Sequence, residues 1–295
     1  MTSPAPLVSI GIPVYNGERF LARAVESLLA QSLPDFELII ADNASTDGTQ
    51  ALCEALALRD ARVRYVRHPQ NIGAPRNWNC LVELARGRYF KWATANDLHA
   101  PTMLQRCVDV LEGDPGIVLC YGHTQLMDET ERPIEVFQGD IDVQMPDPSD
   151  RFAAVCNGMT LNNAMCGVVR TEVLRKTGMD RLYPSGDMAL MSELALHGRL
   201  RLLPEVLLYR RQGRGTFTSM LTPLQIQRMY DPQARAPMKL IRGRRHLDNF
   251  CCILRAPLAL RDKLRAAGAA LRLLVRDREH LWREMRSLVG LQPAR

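Results

Sequence analysis

Three features of the 295-residue sequence predict an α/β fold: a mostly parallel sheet flanked by helices, with a helical C-terminal extension. Short apolar runs alternate with helix-period segments through about the first hundred residues, the pattern of parallel strands joined by helical crossovers. The stretches after those runs are rich in Asn, Asp, Gly and Arg, as suits loops at the carboxyl ends of strands, where such sheets bind ligands. Basic charge gathers at the far end. Residues 235–295 hold 15 Lys and Arg against 5 Asp and Glu, a net of +10, whereas the whole chain is +6, so residues 1–234 carry −4.

Each element follows from its own pattern. Leu7–Val14 (LVSIGIPV) reads as a buried strand ended by the turn-forming Tyr15-Asn16-Gly17, and Glu18–Ala30 places Phe20, Leu21, Ala24, Val25, Leu28 and Leu29 at helical spacing. Phe36–Ala41 is a second strand, and Gln50–Leu58 a second helix that Ser45, Thr46 or Asp47 could cap. A strand at Val63–Val66, a helix at Trp78–Ala85, a strand at Arg88–Trp92, a helix at Met103–Leu111 and a strand at Ile117–Tyr121 continue the alternation. The acidic, proline-containing residues 129–150 break it and are expected to form an excursion or flap over one edge. Regular structure returns with Ala164–Arg170, a helix over Asp187–His197 and the apolar run Val206–Tyr209.

Strand ends single out loops 14–18, 42–47, 67–77 and 93–101, whose polarity favours a phosphate-bearing ligand over an apolar one. With 46% hydrophobic and 24% charged residues the chain has the composition of a globular protein, which argues against wholesale disorder. Met1–Pro6 lack the basic and apolar blocks of a secretory signal, and no stretch nears the roughly 20 apolar residues of a membrane span. The eight cysteines form no C-x-x-C pair and read as reduced, mostly buried small hydrophobes, so a cytoplasmic location is expected.

Val8-Ser9-Ile10-Gly11-Ile12-Pro13-Val14-Tyr15-Asn16, the run Phe36–Thr49 (FELIIADNASTDGT), Asn71-Ile72-Gly73 with Arg76-Asn77, and Ala85-Arg86-Gly87-Arg88-Tyr89-Phe90 stand in order at fitting spacing. Together they resemble glycosyltransferase family 2, the inverting enzymes with the Rossmann-like GT-A fold, over about residues 7–215. The resemblance implies a GT-A domain over residues 1–220, with a nucleotide-sugar half at about 1–101 and an acceptor half at about 102–220, then a basic amphipathic tail at 221–295. It implies that Asp42 hydrogen-bonds the nucleotide base, that Pro13, Tyr15, Asn16 and Glu18 line the nucleoside with Asn71 and Gly73, and that Arg76 meets the nucleotide. A carboxylate accepting from a pyrimidine N–H and a guanidinium gripping phosphate suit those roles.

The family's metal-binding Asp-x-Asp-Asp run corresponds to Thr94-Ala95-Asn96-Asp97, so Mn²⁺ or Mg²⁺ is expected on Asp97 with Asn96 as a neutral donor. Mg²⁺ needs only one or two protein carboxylates, which makes the single acid workable though weaker. His99 could add a ligand to Mn²⁺, but more often such a residue is an ordinary loop histidine. The family's general base falls on Asp187 in Ser185-Gly186-Asp187-Met188; an ordinary helix cap is the competing reading. Arg210, Arg211 and Arg214 lie where the family closes a basic loop over the diphosphate, here without a histidine. The expected reaction carries a sugar from a nucleoside diphosphate sugar, UDP by default, to a saccharide, lipid-linked or other acceptor, in polysaccharide, glycoconjugate or cell-envelope synthesis. A nucleotidyltransferase is disfavoured because Tyr15-Asn16-Gly17-Glu18 is not a Gly-rich Lys/Arg loop. A non-catalytic scaffold finds support only in Thr94 and Asn96.

Residues 257–289 place apolar side chains at 260, 264, 267, 271, 274 and 275, and arginines at 261, 265, 272 and 276. This amphipathic segment is expected to pack on the catalytic domain or on a second copy, or to rest on anionic lipid at the inner membrane face. No module for nucleic acid accompanies it.

Overall fold

In the computed structural model, residues 5–213 and 221–288 are described here. The first half runs β1 (Val8–Val14), α1 (Leu21–Leu29), β2 (Phe36–Asp42), α2 (Thr49–Arg59), β3 (Val63–Arg67), α3 (Ala74–Leu84) and β4 (Tyr89–Trp92). These four strands pair in parallel in the order β3-β2-β1-β4, as the alternating pattern predicts. The central strands β1 and β2 are buried on both sides because helices cover both faces. Ile10, Ile12 and Leu38 join α1 and α2 in one core, while Ile39, Phe90 and Trp92 join α3 in another.

The second half departs from that regularity. After β5 (Leu98–His99) and α4 (Met103–Gly113) come β6 (Ile117–Met127), β7 (Pro133–Val136), α5 (Pro148–Gly158), β8 (Val168–Arg170), α6 (Thr171–Leu174), α7 (Gly186–His197) and β9 (Arg199–Arg211). β8 is antiparallel to both β4 and β6, β5 to β9 and β7 to β6, whereas β9 runs parallel to β6. The nine-stranded sheet is therefore mixed beyond β4. Periodicity marks a strand but not its direction, so this half was not readable from apolar runs.

Residues 129–150 hold β7 and the start of α5. Arg19 pairs with Glu129 at 2.7 Å and Arg23 with Glu131 at 2.9 Å, tying the acidic excursion down to α1. Helix α3 begins four residues ahead of the expected Trp78, because Pro75 fits its first turn, where a missing N–H costs nothing.

The C-terminal segment comprises α8 (Pro223–Tyr230), α9 (Ile241–Arg255), α10 (Leu260–Arg276) and α11 (Arg278–Leu288). It does not stand apart. Cys252 and Ile253 of α9 and Ala266, Ala269, Ala270 and Leu273 of α10 share a core with Phe152 of α5 and Leu196 of α7. Packing on the catalytic domain is thus realised, but through the small-residue side of α10. The side bearing Leu260, Leu264, Leu271 and Val275 points outward. Among the described residues no helix is long and apolar enough to cross a membrane.

Candidate active site

The three loops after β1, β2 and β3 are stitched into one platform. The Asn16 N–H donates to Ser45 Oγ (2.9 Å), Asn16 Oδ1 accepts from the Thr46 N–H (2.8 Å), and Gly17 N–H donates to Thr49 Oγ1 (2.8 Å). Glu18 Oε2 accepts from the Gly48 N–H at 3.0 Å. Asn43 joins the second loop to the third by donating to Asn71 Oδ1 (2.9 Å) and accepting from the Ile72 N–H (2.8 Å). Asn16 and Glu18, expected to line the nucleoside, thus also shape the loop with their side chains. Pro13, half-buried in β1, is a strand residue beneath it.

Asp42 lies wholly buried under the platform. One carboxylate oxygen accepts from the Ser45 N–H at 2.8 Å, and the other from the Tyr65 hydroxyl at 2.8 Å and from Arg67. Burial alone would raise its pKa, but the bonds from Ser45, Tyr65 and Arg67 outweigh that and hold it below the ordinary value. In this ligand-free geometry the carboxylate expected to meet a nucleotide base is held by Ser45, Tyr65 and Arg67. Tyr65 and Arg67 were not singled out from the sequence, since the strand Val63-Arg64-Tyr65-Val66-Arg67 carries no signal of facing a buried acid.

Above the platform, Tyr15, Asn43 and Asn71 line a cavity of about 440 Å³ whose opposite wall is α8, with Gln225, Arg228 and Met229. Helix α8 comes close because residue 73 is glycine. Gly73 has φ +87°, and a Cβ there would lie 2.3 Å from the Tyr230 carbonyl oxygen. Gly73→Ala is expected to destabilise the protein by about 2–4 kcal/mol, combining left-handed backbone strain with a clash against main chain. Urea unfolding measures this, and an unmoved midpoint would mean that α8 does not rest on Gly73. Sequence reading placed α8 outside the site, although Thr222-Pro223 with Gln225 was a legible capping box.

A second cavity, of about 320 Å³, gathers the remaining chemistry. Asn96 and Asp97 form one wall, Asp180 and Asp187 another, Arg210 a third, and Met229 and Tyr230 of α8 close it. Asp187 sits in the first turn of α7, and its Oδ2 accepts from Asn162 Nδ2 at 2.9 Å. The turn into α7 depends on Gly186, where a Cβ would come within 2.6 Å of the Arg181 main chain. Asn162 and Asn163 were missed, for an Asn-Asn pair in a loop announces nothing. Asn163 Oδ1 accepts from Arg210 Nη1 at 2.7 Å and aims that guanidinium.

Asp180, also missed, has its backbone N–H and C=O bonded to the side chain of Asn79 (3.1 and 2.9 Å). Its Oδ1 is buried with no hydrogen-bond partner among the described residues. Burial, then the nearby charge of Asp187, pushes its pKa up to about 7. Burial, followed by Asp187 and Asp180, likewise pushes the Tyr230 hydroxyl up to about 12.

Asp97 is buried at the end of its loop. Its Oδ2 accepts from Thr94 Oγ1 (2.6 Å) and its Oδ1 from the Arg211 N–H (2.8 Å). Burial raises its pKa against these bonds and the pull of Arg210 and Arg211. Among the described residues no three His, Cys, Asp or Glu side chains converge to cage a metal. His99 turns into the core, where burial, then Lys91, holds it well below its ordinary pKa and neutral, so it offers nothing to the cavity. The donor set fits a cation that draws most of its ligands from a bound diphosphate and takes only Asp97 and the Asn96 amide from the protein.

Two of the expected basic residues are placed differently from Arg210. Arg211 is buried: Nε donates to the Asn96 carbonyl (2.9 Å), Nη1 to that of Glu129 (2.8 Å), and Nη2 reaches Glu131 at 3.1 Å. Stacked over Phe20 as well, it fastens loops together at the border of the cavity. Arg76 lies on the other side of α3, beside a cavity of about 810 Å³ bounded by Arg244 and Asp248 of α9. Arg214 falls outside the described residues.

A sheet with a polar cleft at the carboxyl ends of its parallel strands is the arrangement expected of the GT-A class. The sequence model of glycosyl transferase family 2 matches residues 9–178, and the chain belongs to that family. An uncharacterized glycosyltransferase of Haemophilus influenzae is 28% identical over 223 residues, spanning 72% of this chain and 67% of that protein. Chondroitin synthase of Escherichia coli is 34% identical over 116 residues, 39% of this chain but 17% of its own length. An uncharacterized glycosyltransferase of Rickettsia felis, 34% identical over 125 residues, is likewise matched over only 20% of its length. Among solved structures, S. aureus TarS 1–349 in complex with UDP superposes with a TM-score of 0.60 at 17% identity, covering 91% of this chain and 72% of that one. The same fragment in complex with UDP-GlcNAc gives 0.60 at 14% identity, covering 97% and 81%. These likenesses concern the fold.

Proposed function

We propose that the chain transfers a sugar with inversion from a nucleoside diphosphate sugar, UDP by preference, to an acceptor hydroxyl in saccharide or lipid-linked saccharide synthesis. The observation that carries this reading is one cavity with Asp187 on one wall and Asp97, Asn96 and Arg210 on others. UDP is preferred because TarS, of like fold, is described with UDP and UDP-GlcNAc.

The nucleoside would lie against Tyr15, Asn43 and Asn71 beneath α8, with the diphosphate directed toward Asp97 and Arg210. Asp187 accepts the proton of the acceptor hydroxyl as its oxygen attacks the anomeric carbon. The bond from that carbon to the diphosphate breaks, and its electron pair leaves with the nucleotide. Asn162 keeps the Asp187 carboxylate turned into the cavity, and the Arg210 guanidinium offsets charge on the departing diphosphate. Mn²⁺ or Mg²⁺ held by Asp97 and Asn96 would supply further positive charge there. A nucleotide-binding protein without turnover is the second reading, favoured by the single carboxylate at the cation position.

Thermal unfolding with UDP, GDP and dTDP, with and without Mn²⁺, tests the donor site. A ligand at 100 times its Kd adds about 2.7 kcal/mol of stability. One nucleoside diphosphate is expected to raise the midpoint, and more so with Mn²⁺. A rise blind to the metal would assign the diphosphate to Arg210 alone, and no rise with any nucleotide would sink the proposal.

A further inference from the structure

Helix α10 has two apolar faces. Ala266, Ala269, Ala270 and Leu273 are buried against α5 and α9. At 3.6 residues per turn, Leu260, Leu264, Leu271 and Val275 form a stripe on roughly the opposite side. They stand in solvent, Leu264 at 65% exposure and Leu271 at 54%, although a leucine at an inward position of the same helix, Leu273, is at 7%. The fold already satisfies this helix by its alanine side, so the leucine stripe contributes nothing to the fold. Leu247 and Leu254, two turns apart on α9, and Trp282 and Met285 of α11 are also exposed. A soluble surface rarely leaves so many large apolar side chains on three neighbouring helices without a use.

Charge selects the partner. Residues 235–288 carry 14 Lys and Arg against 5 Asp and Glu. Some arginines are committed within the protein, Arg255 to Glu193, Arg265 to Asp147 and Arg276 to Asp277. Arg261 and Arg272, flanking the leucine stripe, have no acidic partner among the described residues, nor do Arg283 and Arg286 beside Trp282 and Met285. A second copy of the chain would bring the same positive charge to its own face and repel it. An anionic lipid surface offers both an apolar layer for the leucines and phosphate for the arginines.

We propose that the outward face of α9, α10 and α11, with Leu264, Leu271 and Trp282 as its apolar anchors and Arg261 and Arg272 as its charges, rests on an anionic membrane surface. The inference is independent of which sugar the enzyme transfers.

Co-sedimentation of the full chain with phosphatidylglycerol-containing and pure phosphatidylcholine vesicles tests it. Binding is expected to the anionic vesicles, to fall with added salt, and to weaken at least about tenfold in Arg261→Glu/Arg272→Glu and in Leu264→Gln/Leu271→Gln. These four side chains take no part in the core, so unfolding midpoints should stay unchanged, separating lost binding from lost fold. Failure to sediment with anionic vesicles would overturn the proposal, as would binding that neither pair alters. Dimerisation in solution that Leu264→Gln/Leu271→Gln abolishes, without vesicle binding, would overturn it in favour of self-association.

Discussion

Asp187→Asn is expected to slow sugar transfer, and the slower transfer to water, by about 10²–10⁴-fold, the range for losing a positioned general base. The amide keeps the shape of the carboxylate and can still accept the bond from Asn162, so stability should move by less than about 1 kcal/mol. Nucleotide-induced thermal shifts should survive, since the nucleoside cavity lies against the platform loops rather than α7. Release of nucleoside diphosphate from a UDP-sugar, followed by chromatography, reads the effect. A variant that releases it at the wild-type rate would return Asp187 to the ordinary role of a charge at a helix N-terminus.

Asp180→Asn is expected to stabilise the protein by an amount that grows with pH. Burial, then the charge of Asp187, raises this carboxyl from 3.8 to about 7 in the folded protein. A raised pKa means that the folded state holds the proton more tightly than the unfolded chain. The favourable contribution is complete below about pH 4, shrinks as pH rises, and is gone above about pH 7, where folding must bury the ionised form. An amide has no such cost. With each pKa unit worth about 1.4 kcal/mol, the variant should exceed the wild type by about 2–4 kcal/mol at pH 8 and match it near pH 4. Denaturation at the two pH values decides the matter; equal gains at both would show that Asp180 is not a buried acid.

The parallel half of the sheet was legible because β1, β2 and β4 are buried on both sides and short apolar runs alternate there with helical segments. The mixed half was not. Val168–Arg170 is three residues long, and nothing in three residues tells a strand its neighbours or its direction. At the site, residues presented by an element's end could be found: Asp187 opens a helix and Asp97 follows a strand. Residues whose role is a bond to another loop could not. Asn16, Glu18 and Asp42 look from sequence like ligand contacts because loop polarity is the same whether the bonds go to a nucleotide or to the neighbouring loop. Arg211 shows the same ambiguity for charge. It and Arg210 are adjacent along β9 and both border the cavity, but Asn163 aims the Arg210 guanidinium while main-chain carbonyls and Glu131 hold that of Arg211.

Glu193 gives the C-terminal helices a consequence for reach. Wholly buried on α7, it grips Arg181 at 2.8 Å and Arg255 of α9, so the helix that carries Asp187 and the helix that carries Leu254 are joined by an ionic strut. Were the leucine ridge to lie on a bilayer as proposed, that strut would work as a ruler. It would fix the height of Asp187 above the lipid, and with it the height at which an acceptor hydroxyl could meet that carboxylate.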